Sequence, residues 1–254
     1  MARADTRRLR IYRTDDELAP IDGALIQDGL YHQAAPIDES IDHLITHVKR
    51  AQIVYCDPPW AYGNTIERGK AWAASPARHY PLIPDTDMRR FFREGVRKAM
   101  AANAILAMWV PNSQVPLALD LIGLAGCRYA AKATWRKRHE SGVSAGCVSN
   151  GAIRPCSEDL LIAHRGSGLR QRPGVQQLDS VFDSVRGAHS AKPTWIRDWL
   201  TQAYGPQTRR VELFCRDSGA GWQAWGNQVL PTPALPVCAL PTPTTPTPAQ
   251  EAAA

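Results

Sequence analysis

The stretch Asp57-Pro58-Pro59-Trp60 closes an apolar run, Ile53-Val54-Tyr55-Cys56, and sets chemically distinct groups side by side. A carboxylate comes first. Two prolines then stiffen the backbone and bring no N–H to compete for contacts, so the Pro58 carbonyl can be aimed at a ligand. An aromatic ring follows at once. An amino group on an aromatic base is a poor nucleophile, because its lone pair is delocalised into the ring. A carboxylate accepting one N–H, with a backbone carbonyl accepting the other, favours a pyramidal nitrogen. The same acceptors stabilise the positive charge that appears as nitrogen forms a new bond. The tryptophan offers the flat base a face to stack on. Taken alone, these residues fit equally well an ordinary strand ending in a rigid turn, with Trp60 in the core.

The surrounding elements must bring this turn to a place where a ligand can reach it. Ile41, Leu44, Ile45 and Val48 recur with helical spacing after Asp38 and Glu39, which predicts a short amphipathic helix feeding a strand from Gln52 to Cys56. Asp85 is the expected N-cap of a helix reaching about Ala102, with Met88, Phe92 and Val96 inward. A strand over Ala104–Val110, a helix over Val115–Ala125 and a strand over Arg128–Trp135 follow, then a buried strand at Glu158–Ala163. Pro193 suits the first turn of a helix over 193–204 whose inner face is Ile196, Trp199, Leu200 and Ala203, before a last strand at Arg210–Cys215. Apolar strands alternating with helices imply an α/β sheet covered on both faces. Ligands of such sheets gather outside the carboxyl ends of the strands, which is where Asp57 falls.

At 254 residues the chain can bury one sizeable core. Lys and Arg number 30 against 24 Asp and Glu, a net +6 that suits a nucleic-acid partner without requiring one. No apolar run is long enough to span a bilayer, and the arginine-bearing start has no secretory pattern, so a cytoplasmic protein with no membrane partner is expected. The six cysteines are scattered with no C-x-x-C pair, consistent with reduced thiols. His139, Cys147, Cys156 and His164 match no familiar zinc spacing, so no metal is expected. A G-x-G-x-x-G phosphate cradle is absent. The last 24 residues form a Pro/Thr/Ala tail expected to be extended and disordered. The expected organisation is an N-terminal extension with a short helix over 1–50, a domain over 51–229 and the tail over 230–254.

The motif does not stand alone. In order along the chain come His79-Tyr80-Pro81, Met108-Trp109-Val110-Pro111-Asn112-Ser113, Trp135-Arg136-Lys137, the Glu158 strand ending His164-Arg165-Gly166, and His189-Ser190-Ala191-Lys192-Pro193. The series closes with Glu212-Leu213-Phe214-Cys215-Arg216 and Gly221-Trp222-Gln223-Ala224-Trp225-Gly226-Asn227-Gln228. Over roughly Val54 to Gln228 the chain thereby resembles the MT-A70 family of adenine-N6 methyltransferases, which use S-adenosylmethionine. The resemblance implies a Rossmann-like class I methyltransferase sheet in permuted order, with the catalytic block ahead of the cofactor block. It makes Asp57, Pro58, Pro59 and Trp60 the catalytic residues, and His79, Tyr80, Trp135, Lys137 and Glu158 contacts of the substrate. It puts Lys192 on the methionine carboxylate and Arg216, Asn227 and Gln228 around the ribose, with Asp57, Glu212 and Phe214 also at the cofactor. Glu158 serves the base, orients Lys137 or caps a loop. Arg89, Arg93 and Arg97 share a helical face, and Arg136, Arg138, Arg154, Arg165, Arg170 and Arg172 crowd the central loops, either as phosphate contacts or as solvated charge. Small size favours a bacterial or phage DNA enzyme. An RNA adenosine methyltransferase, a methyltransferase of the cytosine N4 amine and a catalytically silent nucleic-acid-binding partner are the alternatives.

Overall fold

The computed structural model describes residues 37–60, 83–146, 152–187, 191–215 and 219–226. Helix α1 (Ile37–His47) leads into β1 (Ala51–Cys56). Helix α2 starts at Asp85–Arg90, widens into π-helical turns over Phe91–Val96 and ends at Arg97–Ala99. Strand β2 (Met100–Pro111), helix α3 (Val115–Leu124), β3 (Arg128–Arg138), β4 (Ser157–Arg165) and β5 (Val181–Val185) follow. Helix α4 (Trp195–Tyr204), β6 (Arg210–Leu213) and β7 (Gln223–Trp225) complete the described chain. The strands form one mixed sheet of seven in the order β5-β3-β4-β2-β1-β6-β7. β4 is antiparallel to both neighbours and every other pair is parallel, so six strands end on the same side.

Alternation along β1 divides the core in two. Val54 and Cys56 join Leu106, Met108 and Val211 on the face covered by α1, α2 and α3. Ile53 and Tyr55 join Ala107, Trp109, Trp135 and Leu160 on the face covered by α4 through Ile196 and Leu200. The period of two assigns each strand residue to a side, and helices cover both sides as expected.

Several details depart from the expectations. Asp85 is the first helical residue, with Pro84 at the cap position, so its carboxylate helps through the positive helix end and not as a side-chain cap. The helix stops at Ala99, ahead of an alanine-rich stretch with good helix propensity, because Met100 pairs with Ala51 in the parallel β1–β2 ladder. In α1, Ser40 and His43 are buried where Ile45 was expected, and Leu44 packs where a Cβ on Gly95 would lie 3.2 Å from Leu44 Cδ2. Strands β5 and β7 were not anticipated, being an exposed edge strand and a three-residue strand. Helix α1, assigned to the extension, packs its Ile37, Ile41 and Leu44 in the same core as the sheet. No helix among the described residues is long and apolar enough to cross a membrane. The 1–36 and 230–254 segments lie outside the described residues.

Candidate active site

Asp57 is the first residue beyond β1, at the shared carboxyl edge of β1 and β6. Its Oδ2 accepts a hydrogen bond from Lys192 Nζ at 2.6 Å. The same ammonium stands 3.3 Å from Oε2 of Glu158, whose Oε1 takes a hydrogen bond from Lys137 Nζ. The reversed direction of β4 makes this possible: Glu158 sits at its start, opposite Trp135 near the end of β3 and Pro111 at the end of β2. Burial alone would raise the Glu158 pKa, but Lys192 and Lys137 together hold the carboxyl below its ordinary value. Charges alternate from Lys137 through Glu158 and Lys192 to Asp57.

Beside this row lies a cavity of about 250 Å³ walled by Asp57, Lys192, Glu212 and Phe214, with Tyr55, Thr194 and Arg197 completing its polar lining. Glu212 reaches it from β6, where it sits directly across from Tyr55, and its Oε2 accepts a hydrogen bond from Arg197 at 2.7 Å. Phe214 leaves β6 with a left-handed φ of 61°, uncommon for a side chain with a Cβ. That turn is fixed by its N–H donating to the Trp225 carbonyl at 2.6 Å and by its ring packing on Phe91 and Trp225. Gly226 is needed for the same closure, since a Cβ there would fall 2.4 Å from the Cys215 carbonyl oxygen.

The structure brings together Asp57, Glu158, Lys137, Lys192, Glu212 and Phe214 from five separate stretches of chain. It places other expected residues elsewhere. Trp60 is in the core at 4% exposure, bridged to Ile83. Trp135 is also buried, donating its indole N–H to the Ser184 carbonyl and packing edge-on against Trp109. Neither ring lines the cavity. The Pro58 carbonyl accepts the N–H of Trp60 at 2.8 Å, which locks the turn and leaves a second lone pair able to accept. His79, Tyr80, Arg216, Asn227 and Gln228 lie outside the described residues. Arg89 pairs with Asp120, and Arg136 and Arg138 both pair with Asp183. Part of the basic charge is thus engaged within the protein.

Sequence reasoning missed Tyr55 and Arg197. Tyr55 was legible in principle, because it lies on β1 two residues before Asp57, and the strand's period of two carries both to the same side. It accepts a hydrogen bond from Trp109 Nε1 at 2.6 Å. Burial pushes its hydroxyl far above the ordinary tyrosine range, with Glu212 and Asp57 adding to the effect, so it stays protonated. Burial does the same to the neighbouring Cys56 thiol. Arg197 has no such sequence signal.

A mixed seven-stranded α/β sheet with a charged cavity at its carboxyl edge fits the fold of a methyltransferase. The MT-A70 sequence pattern matches residues 51–228, and the chain belongs to that family of S-adenosylmethionine-dependent methyltransferases. The chain is 24% identical over 209 residues to the type II methyltransferase M.MunI of Mycoplasma sp, covering 76% of this chain and 83% of that protein. It is 29% identical over 210 residues to the N6-methyladenosine RNA methyltransferase MTA1 of Pyricularia oryzae, covering 79% of this chain and 52% of that one. It is 23% identical over 198 residues to the N(6)-adenine-specific methyltransferase METTL4 of Homo sapiens, covering 74% and 39% respectively. The chain spans about half the length of the fungal RNA methyltransferase and less of the human protein.

Proposed function

We propose that this protein methylates N6 of adenine in DNA, with Asp57 as the residue that engages the amino group. The observation carrying this reading is Asp57 held by Lys192 on the rim of a cavity that Glu212 and Phe214 also line. S-adenosylmethionine supplies the methyl group as an electrophilic carbon on a sulfonium. The residues around the cavity fit it: Lys192 is a cation for its carboxylate, Glu212 an acceptor for its hydroxyls or ammonium, and Phe214 an apolar wall. The order along the chain, β1 with the catalytic carboxylate before α4 and β6 with the cofactor residues, agrees with a permuted methyltransferase.

Asp57 accepts one N–H of the amino group and stabilises the positive charge growing on nitrogen, while the Pro58 carbonyl takes the second N–H. Lys192 fixes the direction of the Asp57 carboxylate through its bond to Oδ2. Trp60 anchors the turn from below. The protein mainly positions the reacting atoms. An adenine in duplex DNA must leave the stack to reach Asp57. DNA is preferred because the match covers 83% of the bacterial type II enzyme, against about half of the fungal RNA enzyme. Labelled S-adenosylmethionine offered with duplex DNA, single-stranded DNA and RNA is the test. Label in N6-methyladenine of DNA, lost in Asp57→Ala, is expected. Label in RNA alone would move the substrate to RNA. Nucleic-acid binding without transfer would make the chain a silent partner.

A further inference from the structure

Arg197 stands where helix electrostatics disfavour it. It is the third residue of α4, in the first turn, where the positive end of the helix dipole repels a guanidinium. Something must hold it there, and two features do. Its Nη1 donates to Glu212 Oε2 at 2.7 Å, with both side chains largely buried, at 13% and 16% exposure. Its guanidinium also runs through a gap that exists because residue 219 is glycine. A Cβ on Gly219 would lie 2.6 Å from Arg197 Nε and 2.8 Å from Cδ and Cζ. Arg197 thus ties α4 to the end of β6 in the cavity wall and packs against the loop entering β7 behind it.

We infer that Arg197 is a positioning residue for the cofactor pocket, acting through Glu212 and the Gly219 loop. This rests on the reading of the cavity as the S-adenosylmethionine site. A glutamate on a cavity wall can rotate among several staggered arrangements. Anchoring one oxygen with a charge-assisted bond from a planar guanidinium fixes the plane of the carboxylate before a ligand arrives. That pre-organisation lowers the ordering cost of binding. Arg197 forms no bond with the reacting atoms in this scheme.

The test is calorimetric titration of the full chain with S-adenosylhomocysteine, for wild type, Arg197→Met, Arg197→Lys, Glu212→Gln, Gly219→Ala and the double variant Arg197→Met/Glu212→Gln. Losing a charge-assisted bond predicts that Arg197→Met weakens binding about tenfold to a hundredfold. The KM for S-adenosylmethionine should rise in parallel and the KM for nucleic acid should stay in place. Arg197→Lys should recover part of the loss. Adding Glu212→Gln to Arg197→Met should cost less than Glu212→Gln costs alone. Gly219→Ala should shift binding in the same direction with Arg197 still present, and it decides the matter if Arg197→Met does not fold. Wild-type affinity in both Arg197→Met and Gly219→Ala, or full additivity with Glu212→Gln, overturns the inference. A wild-type chain that binds no S-adenosylhomocysteine is a different result, and removes the pocket assignment itself.

Discussion

Asp57 and Glu158 are both carboxylates held by Lys192, yet they predict different behaviour. Asp57 faces the cavity rim, and in the proposed reaction the charge it stabilises exists only as the new bond forms. Asp57→Asn keeps shape and loses charge, so turnover should fall by about 10²–10³-fold, measured by methyl transfer at saturating substrates. Glu158 bridges Lys137 and Lys192, so its loss should act on stability as well. Its pKa in the folded chain is depressed below the ordinary 4.5. The unfolded chain therefore binds its proton first as pH falls. The stabilisation is fully present above about pH 4.5 and is lost as pH drops through the lower folded value. Glu158→Gln should cost about 1–3 kcal/mol at neutral pH by urea unfolding, and the difference from wild type should shrink in acid. Tyr55 carries a lesson at the same scale. Nothing about a tyrosine in an apolar run marks it as functional, but its parity with Asp57 places it on the cavity side.

At the scale of elements, the site depends on one reversed strand and one short one. Because β4 runs opposite to its neighbours, its first residues arrive where the other strands end, which brings Glu158 to Lys192. β7 is only three residues long, yet the Trp225 carbonyl holds Phe214 in its left-handed turn. Gly226→Ala sets a methyl group against the Cys215 backbone and should destabilise the fold by about 1–3 kcal/mol, with weaker cofactor binding, seen by urea unfolding and calorimetry. Helix α1 offers a further check. Leu44 is fully buried on it, so Leu44→Ala should cost about 2–5 kcal/mol in unfolding free energy. A negligible effect would make α1 an appendage, as residues 1–50 read in the sequence.

For the whole molecule, a cofactor that binds the folded chain alone must stabilise it. S-adenosylhomocysteine at a hundred times its dissociation constant should add about 2.7 kcal/mol, visible as a rise in Tm. The net charge of +6 bears on nucleic-acid binding, but part of it is neutralised by internal pairs such as Arg136 with Asp183. Binding should weaken linearly in log salt, with a slope counting only the arginines and lysines that meet phosphate.

The sequence by itself determined the alternation of apolar strands and helices, because hydrophobic periodicity is a local property. It also determined the ordered motif series that marks the MT-A70 family and the position of Asp57 at a strand end. Only the tertiary structure decided that Lys192 grips Asp57 and Glu158 together, that Trp60 and Trp135 lie in the core, and that Arg197 reaches Glu212 past Gly219. These depend on strand order, on one reversed direction and on gaps a few ångströms wide. Residues 135 positions apart in the chain, as Lys192 and Asp57 are, meet only once the sheet has fixed their register.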